Sequence, residues 1–440
     1  MSLQFVFGPS GGGKSYYLYE KIIEEAKKDR TKDFLLIVPE QFTMQTQKEL
    51  VERSKNHAIM NIDVLSFERL AFRVFDELGM YQIRILEETG KNLILRRLTE
   101  EYGDSMSVLG SNLKKMGYVS EIKSLISEFM QYQITPEDIE AWCEDEDNAW
   151  SFRLKMKDIL VIYRKFLEYL EGSYITSEEV LEECAKTAGR SVMLKDCNLI
   201  FDGFTGFTPV QVNLLKTLFP MTDRVWAAVT LDKRVDPFCV TGIQELFHMS
   251  QKMVRTLLEL ADEAKCEVLE PIWVEDGRQY RYGNAKALLH LEENLFRSSL
   301  KAYPKEQEEI QIQSCQNRKE ELEFAAATIS RMVREEDYRY RDFAIVSGAA
   351  ADYANYVKEI FEAYGIPYFI DEKKTILFHP FIEFLRASLE MVEEDFSYES
   401  VMRYFRSGLS RQSTDEIDRL ENYILATGVR GYRKWNQVFE

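Results

Sequence analysis

The residues whose types and spacing point most directly to chemistry lie near the amino terminus. Gly8-Pro9-Ser10-Gly11-Gly12-Gly13-Lys14-Ser15 fits the pattern G-x-x-x-x-G-K-[ST]. Glycines of this kind let backbone N–H groups curl around phosphate oxygens, the lysine sets a cation on the outer phosphates, and the closing hydroxyl suits Mg²⁺. Gly8, Ser10, Gly11, Gly12, Gly13, Lys14 and Ser15 are therefore the expected nucleotide-binding residues, with ATP and Mg²⁺ as the expected ligands. A glycine-rich strand-to-helix turn without any ligand would use the same residues. Further along, Leu199-Ile200-Phe201-Asp202-Gly203 is an apolar run that ends in a carboxylate, which makes Asp202 the expected metal ligand beside Ser15. Glycine follows where a water-activating glutamate would stand, so no residue receives a catalytic role. The competing reading of Asp202 is a turn residue that opens the bend at Gly203.

A phosphate loop needs a strand before it and a helix after it. Leu3 to Phe7 reads as that strand and Tyr16 to Lys28 as that helix. Two more pairs follow, Phe34 to Val38 with Met44 to Arg53 and Ile62 to Leu65 with Phe67 to Leu78, and such alternation implies crossover units on a parallel sheet. Strand signals vanish from about Glu87 to Gly189. They return at Asn198 to Phe201 and Arg224 to Leu231, with a helix between them that opens at Pro209. A second series begins with strands at Ile310 to Ser314, Phe343 to Val346 and Pro367 to Ile370, interleaved with helices.

The expected fold class is α/β: a RecA-like P-loop NTPase with a parallel sheet and a helical insertion, then the start of a second RecA-like domain with its own helical insertion. Its first domain takes residues 1–86 and 190–280, its insertion 87–189, the second domain 305–378 and the second insertion 379–440. With no closing strand before Glu440, the chain reads as truncated.

At 440 residues, 45% hydrophobic and 30% charged, the chain is a globular protein of two or three domains. No apolar run reaches the length of a bilayer span and no leader is evident, so a cytoplasmic protein without membrane contact is expected. Six scattered cysteines and four dispersed histidines suggest neither a zinc site nor a disulfide framework. The formal net charge of −18 disfavours nonspecific coating of nucleic acid, while leaving room for a narrow DNA groove.

Beyond the phosphate loop, IVPEQFT at 37–43, VLSFERLAFRVF at 64–75, LIFDGFTGFTPVQ at 199–211, RDFAIVSGAAADY at 341–353 and GIPYFIDEKKTILFHPFIEFLRASLEMV at 365–392 resemble one group. The chain is similar to the UvrD-like helicase superfamily and, within it, to the AddB (RexB) subunits of AddAB helicase–nucleases. That resemblance implies a part in processing double-strand DNA breaks for recombinational repair, with an AddA-like subunit as partner and single-stranded DNA and duplex ends as substrates. It also implies scanning of single strands for a hotspot sequence, and a nuclease with an iron–sulfur cluster in a C-terminal region absent from this sequence. Departures from an active motor are visible. The segment before the loop is too short for an adenine-reading glutamine motif, AVTLDKRVDPF at 228–238 lacks the usual glutamine, Val346-Ser347-Gly348 stands where arginine is common, and a further arginine motif would fall past Glu440. Together with Gly203 these imply ATP binding with poor hydrolysis. A stand-alone P-loop ATPase or metabolite kinase, or a structural subunit with a relic loop, are the competing readings.

In such folds DNA crosses the C-terminal ends of the strands. Gln41, Thr43 and Arg69 would supply hydrogen bonds and charge there, and Phe67, Phe72, Phe204 and Phe207 would supply stacking faces worth about 1–3 kcal/mol per base. Core packing is the competing reading for the aromatics.

Overall fold

The computed structural model describes residues 1–82, 84–110, 116–171, 174–275, 277–297, 301–370 and 376–437, so part of the 365–392 stretch lies outside the described residues. Residues 1–310 form one compact unit and residues 311–440 another.

In the first unit, strand β1 (Ser2–Gly8), helix α1 (Lys14–Lys28), β2 (Phe34–Ile37), α2 (Thr43–Arg53), β3 (Ile62–Leu65) and α3 (Phe67–Glu77) follow one another as the sequence predicts. The chain then leaves through the two-residue strand β4 (Ile85–Leu86) into helices α4 (Glu88–Tyr102), α5 (Met116–Gln131), α6 (Pro136–Glu144) and α7 (Trp150–Leu170). It returns through β5 (Ile175–Thr176), paired in parallel with β4, a neck too short to show in the sequence pattern. Helix α8 (Val180–Thr187), β6 (Asn198–Phe201), α9 (Pro209–Leu218), β7 (Arg224–Thr230) and α10 (His248–Glu263) come next. The unit closes with β8 (Glu267–Val268), β9 (Ile272–Trp273), α11 (Gly277–Tyr282) and α12 (Lys286–Asn294).

The main sheet runs β3-β2-β6-β7-β1-β8, with β9 also on β1, and its described strands pair in parallel. Strand side chains alternate between faces, and here both faces are buried. Leu3, Phe5 and Phe7 with Leu35, Ile37, Leu199, Phe201, Val225, Ala227 and Val229 join one core, against α3, α8, α9 and α10. Val6, Phe34, Leu36, Ile200, Trp226 and Ala228 join the other, against Leu18, Ile22 and Ile23 of α1 and Leu50 of α2. This two-sided burial explains why the strands read as continuous apolar runs. The mixed architecture with its parallel sheet is the α/β, RecA-like class that the sequence suggests. Two starts are set by capping: Ser66 accepts the Arg69 N–H ahead of α3, and Thr208 and Gln211 form a capping box around Pro209 at the start of α9.

The helical stretch α4 to α7 has a separate apolar core that includes Leu95, Ile122, Ile126, Phe129, Ile162 and Phe166. Helix α8, which the sequence groups with these helices, instead gives Val180, Leu181 and Cys184 to the sheet core. Trp142 packs edge-on to Phe129, whereas Trp150 is 73% exposed at the first turn of α7. No described helix is long and apolar enough to cross a membrane. Cys143, Cys184, Cys197 and Cys266 are buried free thiols, and burial pushes those of Cys184 and Cys197 up to about 12, which keeps them unreactive.

In the second unit, α13 (Arg318–Glu335) packs on α14 (Ala350–Tyr364) through Leu322, Ala326, Ile329, Val357, Ile360 and Phe361. Helices α15 (Pro380–Glu393), α16 (Tyr398–Arg406), α17 (Thr414–Thr427) and α18 (Tyr432–Trp435) follow, as the helical patterns predict. The strands predicted at 310–314, 343–346 and 367–370 are not formed. A strand needs a hydrogen-bonded neighbour, and none of these segments pairs with another in the described sheets. Ile312, Val346 and Phe369 are left exposed, and an apolar groove of 760 Å³ opens beside α13 and α14.

One buried charge network ties the helical insertion to its neck. Lys91 of α4 is 2% exposed, and its ammonium donates to both oxygens of Glu178 at 2.8 and 2.7 Å, to Glu88 at 2.9 Å and to Ser177 at 3.0 Å. Removing one member of a buried pair strands the other charge. Lys91→Ala should therefore destabilise the unit by about 3–5 kcal/mol in denaturant unfolding, and Lys91→Met with Glu178→Leu should recover most of that loss.

Candidate functional site

The phosphate loop starts where β1 ends. The Gly8 carbonyl accepts the Leu231 N–H at 2.9 Å and the Gly12 N–H donates to the Pro9 carbonyl at 3.1 Å, closing a tight turn. Gly11 and Gly13 sit at φ 70° and 92°, the left-handed region where a side chain is penalised, so glycine is required at both. Gly13 caps α1 and directs the helix's positive end at the loop. The Lys14 ammonium folds back to donate to the Pro9 carbonyl at 2.9 Å, beside the backbone that would cradle phosphate. The sequence-predicted nucleotide residues are thus gathered in one strand-loop-helix turn, with Ser10 exposed and Lys14 and Ser15 half-buried.

Asp202, at the end of β6, lies one strand removed from β1 with β7 between them. Helix α1 bridges the gap: the Tyr19 hydroxyl, one turn beyond Ser15, donates to Asp202 Oδ2 at 2.8 Å. Asp202 is only 7% exposed. Burial raises its pKa, against the pull of the Tyr19 and Ser15 hydroxyls and the Lys14 charge, so the carboxyl stays above the usual carboxylate range. Burial and the nearby Asp202 charge raise the pKa of the Tyr19 hydroxyl, which Thr46 of α2 also contacts. Asp202 is therefore a buried group facing the loop rather than a plain surface turn residue.

Gly203 follows with φ 81°, and a Cβ there would come 3.3 Å from Pro39 Cδ. A glutamate could occupy this position only in a conformation costing about 1–2 kcal/mol. The missing carboxylate is therefore built into the backbone as well as into the residue type.

The remaining predicted residues divide by exposure. Gln41 and Phe42 are exposed on the short 3₁₀ turn after β2, and Arg69 on α3 donates from Nε to Glu40 at 3.0 Å, which joins the ends of β2 and β3 at the sheet edge. Thr43 turns inward: it is buried and its hydroxyl donates to the Glu40 carbonyl at 3.0 Å. Phe67 is buried among Phe201, Phe204 and Phe207, with ring centroids 5.6 to 6.2 Å away. Phe204 and Phe207 are half-buried against the same core, and Phe72 is 41% exposed. A cleft of 410 Å³ opens beside these residues, lined in part by Pro39, Glu40, Glu68, Glu178, Phe204 and Gln211. Burial, then Glu40 and Glu178, raise the pKa of Glu68, so the cleft floor is acidic and unsuited to phosphate.

Sequence reasoning missed three contributors. Tyr19 reads as one position of the helix predicted over 16–28, Val274 falls without any signal inside the first domain at 190–280, and Arg281 is one charge in the polar stretch that begins at Tyr280. Only its i+4 spacing from Ser15 could have flagged Tyr19. The covering of the loop by residues 274 and 281 depends on a parallel pairing of β9 with β1, which two-residue strands do not announce.

Because Asp202 is buried, loss of its donor leaves an acceptor poorly satisfied. Tyr19→Phe should lower stability by about 1–3 kcal/mol, read by denaturant unfolding, while a Tyr19→Phe, Asp202→Asn double variant should lose less than the sum of the single changes.

Comparison with known proteins agrees with this layout. Residues 5–292 match the profile of the family described as ADDB, N-terminal. The B-type subunit of the ATP-dependent helicase/deoxyribonuclease of Lachnoclostridium phytofermentans is 42% identical over 446 aligned residues, which take in 100% of this chain and 38% of that protein. The proteins of the same name from Clostridium tetani and Clostridium kluyveri are 34% and 32% identical, covering 98% and 99% of this chain and again 38% of theirs. The chain thus spans well under half the length of the relatives it matches. With its phosphate loop, its Asp202 strand and the sheet that carries both inside the matched residues, this chain belongs to the ADDB N-terminal family.

Proposed function

We propose that this chain is the nucleotide- and DNA-binding N-terminal part of the B-type subunit of an ATP-dependent helicase/deoxyribonuclease that processes DNA ends for recombinational repair. The observation that carries this reading is the phosphate loop on β1 within the residues that match the family. Loop amides from Ser10 to Ser15 and the Lys14 ammonium would bind the phosphates of ATP. The Ser15 hydroxyl and Asp202 carboxylate are oxygen donors of the kind Mg²⁺ prefers, so these two would hold it. Bound Mg²⁺ would neutralise charge on the outer phosphates. Gly203 leaves no carboxylate to orient water, so hydrolysis is slow. A cytoplasmic setting and an AddA-like partner subunit complete the reading.

For DNA, the exposed groups at the β2–β3 edge, Gln41, Arg69 and Phe72, would meet single strands, with Phe204 and Phe207 at the cleft and Thr43 and Phe67 shaping the edge from within. The acidic cleft floor keeps the backbone phosphates outside, along the rim. Residues 305–378 would open a second RecA-like domain, whose unpaired segments and apolar groove call for strand partners. The deoxyribonuclease centre, and any iron–sulfur cluster, would lie in the part of the longer relatives that this chain does not match. A metabolite kinase would be expected as one compact domain. A 310-residue unit with a separately packed helical insertion, followed by another unit, fits that poorly.

Two tests bear on this function. The chain alone, incubated with labelled linear duplex and Mg²⁺, should leave the DNA intact; cutting that survives rigorous purification contradicts the placement of the nuclease. In a complex assembled with an AddA-like partner, a Gln41→Ala, Arg69→Ala, Phe72→Ala variant should bind single-stranded oligonucleotides at least tenfold more weakly by fluorescence anisotropy. Unchanged affinity returns these residues to structural roles.

A further inference from the structure

Tyr19 stands one turn beyond Ser15 on α1 and is 4% exposed. Its ring packs with Val6, Ile22, Leu36 and Ile200 in the core between α1 and the sheet. Phenylalanine would fill that place without a polar group, and a buried hydroxyl costs free energy unless it is hydrogen-bonded. The partner of this one is Asp202 Oδ2, at 2.8 Å.

Asp202 is thereby fixed through backbone and side chain alike. Its N–H donates to the Ile37 carbonyl at 3.2 Å, which ties the end of β6 to the end of β2, and Gly203 turns the chain away at φ 81°. The carboxyl group is 7% exposed and its Oδ2 is engaged by Tyr19. A carboxylate held in this way presents one oxygen to a ligand; to chelate with both it would have to rotate and give up the tyrosine. The difference matters to a cation. Mg²⁺ demands near-ideal octahedral geometry and is bound through one or two carboxylates together with phosphate oxygens and water, whereas Ca²⁺ takes more oxygens in looser geometry and accepts carboxylates in mono- or bidentate fashion. Hydrogen bonds to a ligating carboxylate are what orient it for one mode or the other.

We propose that Tyr19 is a positioning residue for the metal: it pins the Asp202 carboxylate in a one-oxygen orientation, so that nucleotide is taken up with Mg²⁺ in preference to Ca²⁺. The inference rests on the reading that the loop binds nucleotide and that Ser15 and Asp202 face its metal. Tyr19 touches neither nucleotide nor ion and acts through Asp202 alone. Because its hydroxyl comes from the helix that carries Lys14 and Ser15, a single element sets the phosphate ligands and the orientation of the second metal ligand.

The test is calorimetric titration of the whole chain with ATP in Mg²⁺, in Ca²⁺ and in EDTA, comparing the natural protein with Tyr19→Phe, Asp202→Asn, their double variant and Lys14→Ala. Each protein is measured below its own unfolding transition. Tyr19→Phe should weaken binding in Mg²⁺ by about tenfold or more, weaken binding in Ca²⁺ clearly less and leave binding in EDTA unchanged, so that the preference for Mg²⁺ shrinks. A loss in Ca²⁺ as large as that in Mg²⁺, or no loss in Mg²⁺, overturns the inference and leaves the hydroxyl a support of the fold; loss of binding in Lys14→Ala then keeps the nucleotide site standing. A natural protein that binds ATP equally well with both metals overturns it too. Should Tyr19→Phe not fold, the comparison passes to the Asp202→Asn background, where adding Tyr19→Phe should alter no metal response, and a difference between those two variants contradicts action through Asp202. No ATP binding by the natural protein under any of the three conditions overturns both readings together.

Discussion

A carboxyl group buried at the end of a parallel strand has to be held by donors, and at the end of β6 the donor in contact is the Tyr19 hydroxyl, 2.8 Å from Asp202. Much of the site hangs on that contact. It fixes α1 relative to β6 across the intervening β7, and so sets where Ser15 and Lys14, on the same helix, stand with respect to Asp202. The β1–β7 ladder, paired from Ser2–Arg224 to Gly8–Thr230, supplies the rigid base beneath. Alternate residues of each strand feed two opposite cores, so a slip of one residue would turn both faces inside out, and the loop is anchored in register.

The sheet half of the fold was legible because its signals are local. Apolar runs of four to seven residues, glycine at the loop, and threonine before Pro209 each act through their own neighbourhood, and β1, β2, β3, β6 and β7 fall where they are read. What escaped depends on distant partners. Strands β4, β5, β8 and β9 are two residues each and exist only because a neighbour aligns with them. Conversely, the apolar segments at 310–314, 343–346 and 367–370 look like strands and are not, because pairing is a property of two segments and a sequence window contains one. For the site, the loop residues and Asp202 were readable from motif and position. The inward turn of Thr43 and the burial of Phe67 were not, since a residue just past a strand end can face either way and only packing decides.

Under the proposed reading, the edge where β2 and β3 end would give an acidic protein a surface for DNA. The exposed Arg69–Glu40 pair is worth about 0.2–1 kcal/mol, little enough for a phosphate or a base edge to displace the glutamate from the arginine. With Glu40, Glu68 and Glu178 around the neighbouring cleft, attraction from a general positive field is absent there. DNA recognition proposed at this edge would then come from a few directed contacts and from stacking, which favours selective over indiscriminate binding. The Tyr19–Asp202 hydrogen bond ties α1 to the end of β6, on the phosphate loop side of the sheet.

The proposed site would bind nucleotide without turning it over, with Lys14, Ser15 and Asp202 in place and Gly203, at φ 81°, standing where a catalytic carboxylate is needed. Its most direct measurement is phosphate release by the isolated chain at saturating MgATP with single-stranded DNA present, alongside calorimetric binding of the same nucleotide. Saturable binding with release no faster than in Lys14→Ala is the expected result. Brisk, DNA-stimulated release that disappears in Lys14→Ala would contradict it.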